Sequence, residues 1–192
     1  MEFAIPISRF DPTHVHWGEP RISPYRRSIP FGYDDNQMRF SSLITVLEPL
    51  RVVHIDWEKN QLILEDVGQI SFLSKFEQLQ QLINLNIQKH YKNWLEGTTL
   101  LSPTNINQVQ PWVKGGAITL YLSEDPSLLS FYTENGKTQF SEKNVKPGDL
   151  IRVVVRLNGI SLQMTNTDNW TGKSRIQHHI IELYKVSASL QG

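Results

Sequence analysis

Hydrophobic and polar positions alternate most regularly in "VKPGDLIRVVVRLNGI", residues 145–160. Successive strand side chains point to opposite sides, so Ile151, Val153, Val155 and Leu157 share one face. Leu150, Arg152, Val154 and Arg156 share the other. The first face predicts a buried side and the second an outward side that carries two guanidinium groups. The strand is expected to span 150–157 and to stop at Asn158-Gly159, a pair that tolerates positive φ and favours a hairpin turn.

Similar patterning predicts the neighbouring elements. "RFSSLITVLEPLRVVHIDWEKNQLILED" reads as strands 39–47, 50–57 and 61–65, broken at Pro49 and turned at "EKN", an antiparallel meander. Further along, strands are expected over 112–122, 128–133, 137–140, 160–165 and 174–186, with a hairpin turn at Glu134-Asn135-Gly136. "NTDNWTGK", 166–173, reads as a long polar turn that exposes Trp170. The period changes in "SKFEQLQQLINLNIQKHYKNWLEG". Phe76, Leu79, Leu82, Ile83, Ile87, Tyr91, Trp94 and Leu95 fall on one helical face and predict a helix over 75–96. Ser74 with Glu77 fits a capping box, and Gly97 fits a C-terminal stop. Residues 98–111 form a polar loop with Pro103 and Pro111.

Residues 1–38 hold five of the ten prolines, which predicts an extended arm with short edge strands at most. Phe3, Phe10, Trp17, Tyr25, Phe31 and Tyr33 are too many large rings for a solvated tail, so part of the arm is expected to pack. One helix among about eight short strands predicts a mainly β protein: an antiparallel oligonucleotide-binding (OB-like) barrel with an inserted helix and an extended N-terminal arm. A β-sandwich with a covering helix is the alternative. The expected organisation is an arm over 1–38, a single domain over 39–187 and a tail over 188–192.

Length and composition narrow the functional classes. A chain of 192 residues supports one well-buried core. Lys plus Arg and Asp plus Glu both number 19, so any anion site must come from local clustering. The chain has no cysteine, which excludes disulfides, thiolate metal sites and a cysteine nucleophile and fits a reducing compartment. "MEFAIPISRFDP" lacks the basic start and apolar run of a signal peptide, and no stretch has the apolar length of a membrane span. The expectation is a soluble intracellular protein of cytoplasm or nucleus.

The candidate chemistry lies in the last two long strands and in the arm. Arg152 and Arg156 are matched to adjacent phosphates of an extended single strand, the alternative being a solvated face paired with cross-strand acids. In "GKSRIQHHIIELYKV", Lys173, Arg175, Gln177 and His179 share a face, and Ile176, His178, Ile180 and Tyr184 share the other. A groove floored by Arg152, Arg156, Arg175 and Lys173, edged by Trp170 and Tyr184, would offer charge to phosphates and ring faces to bases. Otherwise Tyr184 is core and Trp170 caps the barrel. "PRISPYRRSIPF" adds Arg21, Tyr25, Arg26 and Arg27, which either close over nucleic acid or pack on a neighbouring subunit. Trp17 and Tyr25 are further stacking candidates.

Enzyme signatures are missing: there is no G-x-S-x-G, G-x-x-x-x-G-K, strand-borne G-x-G-x-x-G or H-E-x-x-H. Gly115-Gly116 reads as a bulge or bend, and Asp56, Glu58 and Asp66 flank a hairpin where acids face water. His14 and His16 make half a metal site that no nearby cluster completes. No catalytic residue, metal or cofactor is expected.

The order of these segments carries a resemblance. "PRISPYRRSIPF" leads into "VVHIDWEKNQLILE", the helix ends "HYKNWLEG", and "KPGDLIRVVVRLNGISL" and "RIQHHIIELYKV" close the chain. From about residue 20 onward this pattern is similar to the single-stranded-DNA-binding proteins of large double-stranded DNA viruses and related self-replicating elements. The resemblance implies an OB-like barrel with an N-terminal extension. It also implies nucleic-acid contacts from a charged strand before the last loop and from an aromatic in that loop, here Arg152, Arg156 and Trp170. The chain ends "SASLQG" where such binders often carry a long acidic tail, so recruitment of partners through a tail is not expected.

The leading expectation is therefore a non-enzymatic protein that binds single-stranded DNA without sequence choice, with RNA as a further partner, in replication or recombination. Two other classes stay open. One is a β-rich viral shell or scaffold component, a homo-oligomer that exchanges its arm. The other is a carbohydrate-binding or enzymatic β-sandwich module.

Overall fold

The strand that begins at Leu150 does not stop at Asn158-Gly159. In the computed structural model, which describes residues 4–36, 38–68, 72–96 and 109–186, it continues to Met164 and organises most of the protein. In chain order the strands are β1 (Ala4–Pro6), β2 (Val15–Trp17), β3 (Arg21–Ser23), β4 (Arg26–Asp35), β5 (Met38–Phe40), β6 (Leu43–Val46), β7 (Leu50–Asp56) and β8 (Gln61–Asp66). Helix α1 (Leu73–Trp94) precedes β9 (Val113–Lys114), β10 (Ala117–Tyr121), β11 (Ser130–Thr133), β12 (Gly136–Thr138), β13 (Leu150–Met164) and β14 (Trp170–Lys185).

The predicted inner face of β13 is core: Ile151, Val153, Val155 and Leu157 are all buried. Gly159 explains why the strand survives its Asn-Gly pair. The register against β14 shifts between Leu157 and Gly159, so the pair forms a bulge that re-aims the strand instead of reversing it. At Gly159 the backbone presses against β4 so closely that a Cβ would lie 2.0 Å from the Ile29 carbonyl oxygen; only glycine fits that approach. The reversal comes later, where Thr165 N–H donates to the Asn169 carbonyl at 2.7 Å and Asp168 turns at φ 60°.

One edge of β13 pairs with β14 along its length. The other edge is shared in succession by β7, β6 and β4. The main ladder runs β12-β11-β14-β13-β7-β8-β10-β9. It is mixed, since β1 is parallel to β6 and β11 is parallel to β14. This large sheet does not close into a barrel: outside the named strands, its two limbs meet at an isolated parallel bridge between Leu122 and Ile180. The predicted breaks at Pro49 and at the turn before Gln61 are present, but the meander is not: only β7 and β8 pair, while the predicted first strand is split into β5 and β6 and β6 pairs with β1 and β13, not with β7.

The N-terminal segment contributes more than short edge strands. β4 has ten residues and pairs with β2, β3, β5 and β13. Alternation supplies the reason, because Ile29, Phe31 and Tyr33 bury one face. Two of its prolines sit outside the ladders: Pro12 opens a short 3-10 turn behind its cap Asp11, and Pro24 lies in the β3–β4 turn. Phe10 is buried between Tyr33 and Phe76, at 5.6 and 5.9 Å between ring centroids, which binds this segment to the helix.

Helix α1 buries Leu73, Phe76, Leu79, Ile83, Ile87 and Trp94, as its period predicts. The capping box does not form at its expected place. The helix starts at Leu73 behind Phe72, whose backbone is already helical and makes no side-chain cap, and Ser74 lies within the first turn. Burial of Leu73 and the edge contact of Phe72 with Phe76 at 6.4 Å outweigh the cap. Gly97 and most of the predicted polar loop lie outside the described residues, as do 187–192. Among the described residues no helix is long and apolar enough to cross a membrane.

Candidate nucleic-acid interface

Cross-strand register assembles the site. Arg21 lies opposite Ser28, Ser28 opposite Ser161, and Ser161 opposite Arg175, so one row across β3, β4, β13 and β14 places these four side chains on a common face. The next row places Ser23 opposite Arg26 and Arg26 opposite Gln163. The intervening row holds Arg27 opposite Leu162, and both are buried, because alternation turns them to the inner side.

Two adjacent depressions mark the outer face. One, of about 560 Å³, is lined by Tyr25, Arg26, Gln110, Gln163, Lys173 and Arg175 among others. The other, of about 460 Å³, takes in Arg21, Arg26, Ser28, Arg156, Asn158 and Gln177. Arg26 borders both, which makes them one polar, basic tract. Elsewhere several surface cations are matched by acids: Arg9 with Asp35 at 3.3 Å, Arg39 with Asp34 at 3.6 Å and Arg51 with Glu65 at 3.3 Å. Arg21, Arg26, Lys173 and Arg175 have no ion-pair partner among the described residues. Their charges therefore remain available to an anion.

The face also carries a histidine. His179 lies opposite Arg156, with its Nδ1 3.1 Å from the Asn158 side-chain nitrogen. Burial, and then the Arg156 charge, hold its pKa below the usual imidazole value.

Arg152 belongs to a different place. It sits in a mostly apolar depression of about 660 Å³ with Ile44, Val154, Ile181, Glu182 and Tyr184. The sequence match of Arg152 and Arg156 to adjacent phosphates does not hold, because four residues put them about 13 Å apart along the strand. Tyr184 is also on the outer face and not with Ile176. A bulge at Ile181 leaves Glu182 opposite Val154 and Ile180 opposite Val155, which reverses the alternation for the rest of β14. Tyr184 donates to Glu182 at 2.8 Å and stacks on Tyr132 at 4.6 Å and 8°. Burial, then the carboxylate, push its pKa up to about 12.

Three of the predicted contacts are structural. Trp170 is not exposed: it is 6% exposed, its indole Nε1 donates to the Lys173 carbonyl at 2.9 Å, and its ring lies 5.6 Å from that of Tyr91. The polar turn ends at Asn169, one residue before it. Arg27 is turned inward to the end of α1. Trp17 is half-buried, edge-on to Phe31 at 5.1 Å, and lines neither depression.

His14 and His16 each lie near a separate carboxylate, Asp11 at 3.5 Å and Asp34 at 3.4 Å. Among the described residues no group of three or more His, Asp or Glu is arranged to hold a metal ion. Gly115-Gly116 forms the β9–β10 turn, at φ 60° and 78°.

Ser28, Gln110, Ser161 and Gln163 were missed by the sequence reading. The signal for two of them was present, since alternation resumed in "ISLQM" after the bulge, but it was masked by reading Asn158-Gly159 as a turn. Compared with known proteins, the sequence matches no family model and no curated protein.

Proposed function

We propose that this protein binds single-stranded DNA without sequence selection and serves DNA replication or recombination, by binding and not by catalysis. The observation that supports the reading best is the basic tract across β3, β4, β13 and β14. Four cations with no ion-pair partner among the described residues lie there beside an exposed tyrosine, in a chain whose total charge is zero. Phosphates would be neutralised by Arg21, Arg26, Lys173 and Arg175, with Arg156 at the far end, and bases would stack on Tyr25. Arg152 with the Tyr132–Tyr184 stack lies further along the same face and extends the path for a longer strand.

The strand order supports an OB-like reading of the fold. β7, β8, β10, β14 and β13 follow one another in the ladder and through the Leu122–Ile180 bridge, as in a five-stranded barrel left partly open. The β3–β4 hairpin then forms one wall of the groove, the role of an arm that closes over nucleic acid. The inserted helix meets the start of β14, where the Tyr91 ring lies 5.6 Å from that of Trp170.

The test is anisotropy of labelled dT oligomer, duplex DNA and RNA oligomer at low and moderate salt. Tighter binding of the single strand that weakens steeply with salt is expected, because bound phosphates release counterions. No binding at micromolar protein and low salt, or affinity indifferent to salt, would overturn the proposal.

A further inference from the structure

Tyr25 occupies a position where a tyrosine strains the backbone. The β3–β4 ladder pairs Ser23 with Arg26 and leaves Pro24 and Tyr25 as the turn. Proline fixes its own φ near −65°, and Tyr25 follows at φ 63°. This is the pattern of a type II turn, whose second central position ordinarily holds glycine or asparagine. A bulky L side chain is disfavoured there. The fold gains little from the ring in return: Tyr25 is 67% exposed and makes no ring–ring contact among the described residues. Its carbonyl accepts from Met164 N–H at 3.0 Å, which ties the turn to the β13–β14 hairpin and sets the residue at the rim of the 560 Å³ depression. Backbone strain kept at an exposed position marks a site of function.

The rest of the depression complements a nucleotide. Its volume is in the range of small-ligand pockets. Arg26, Lys173 and Arg175 supply charge, and Gln110 and Gln163 supply two solvent-facing carboxamides. A carboxamide offers a donor and an acceptor side by side, the pair that matches N6 and N7 of adenine.

We infer that this depression is a single-nucleotide subsite, in which one base of the bound strand stacks on Tyr25 and presents its edge to Gln110 and Gln163. The flanking phosphates lie on Arg26, Lys173 and Arg175. A binder otherwise indifferent to sequence thus prefers adenine at one position. The inference rests on the single-strand reading above.

The test uses a dT oligomer of about twelve nucleotides, near one site size, and copies with one central dA, dC or abasic residue. Wild type is compared with Tyr25→Gly and with Gln110→Ala/Gln163→Ala. One dA is expected to raise affinity about five-fold over dT alone, and the double glutamine variant to abolish that gain. Tyr25→Gly is expected to weaken binding of every oligomer about ten-fold while Tm stays unchanged or rises, since glycine suits positive φ. Salt-sensitive binding of dT with no effect of base identity would overturn the subsite and leave the single-strand reading standing. A Tyr25→Gly protein that loses Tm but keeps affinity would make the ring structural and overturn the subsite too. No binding of any oligomer would remove both.

Discussion

The guanidinium of Arg27 donates to the Trp94 carbonyl at 3.1 Å and reaches the Glu96 carbonyl at 3.5 Å, so a buried cation from β4 satisfies the free carbonyl end of α1. Such carbonyls lack intrahelical partners, and a cation there also suits the helix dipole. Arg27→Met is expected to cost about 2–3 kcal/mol of stability, the worth of hydrogen bonds to a charged group, as read by urea unfolding. Its neighbour Arg26 faces out, so Arg26→Met should leave stability nearly unchanged and weaken DNA binding. Equal effects of the two substitutions on binding would sink that division of roles.

Trp170 makes the same distinction between a structural and a contacting aromatic. With its ring packed beside Tyr91 and its indole hydrogen-bonded to Lys173, Trp170→Ala should destabilise the protein by about 3–5 kcal/mol. Trp170→Phe, which keeps an aromatic body, should retain oligonucleotide affinity at temperatures where it is folded. Loss of affinity in a fully folded Trp170→Phe protein would return Trp170 to the interface.

Salt dependence tests the cations one at a time. If Lys173 and Arg175 each neutralise one phosphate, replacing either by alanine should reduce the slope of log affinity against log salt by about 0.7, the increment for a single strand. Arg51→Ala provides the control, because Arg51 is already paired with Glu65 at 3.3 Å. A slope that falls equally in the control would mean that the basic tract is not the contact surface.

His178 gives the protein an acid-sensitive core. The ring is buried between Trp112 and Tyr121, at 5.3 and 5.5 Å, and its Nδ1 lies 3.0 Å from the Ile176 carbonyl oxygen. Burial lowers its pKa from 6.5 to about 4. The unfolded chain therefore binds the proton first as pH falls. The stabilisation from the neutral ring is complete above about pH 6.5 and is lost progressively down to about pH 4, a total of about 3 kcal/mol. His178→Phe should flatten that part of the curve in denaturation experiments between the two pH values; an unchanged slope would count against burial of the neutral ring.

Much of the local structure was readable because it depends on near neighbours in sequence. The helical period of "FEQLQQLINLNI" and the alternation of "LIRVVVRL" report which side of an element is apolar, and burial follows that side. The capping box failed for a related reason: the energy of burying Leu73 exceeds that of one cap, and local propensity carries no information about it. The arginines of the arm were recognised as a group, yet Arg26 and Arg27 have opposite roles, and only the sheet partner of β4 tells them apart.

From the sequence alone came a mainly β protein with one amphipathic helix, the inner face of β13 and the set of basic residues near a tyrosine, since periodicity and composition are properties of the chain itself. The tertiary structure decided that Asn158-Gly159 is a bulge, that Trp170 is core and that Tyr25, Arg26, Lys173 and Arg175 border one depression. Those outcomes depend on register between strands more than a hundred residues apart, where a single bulge moves every later side chain to the other face.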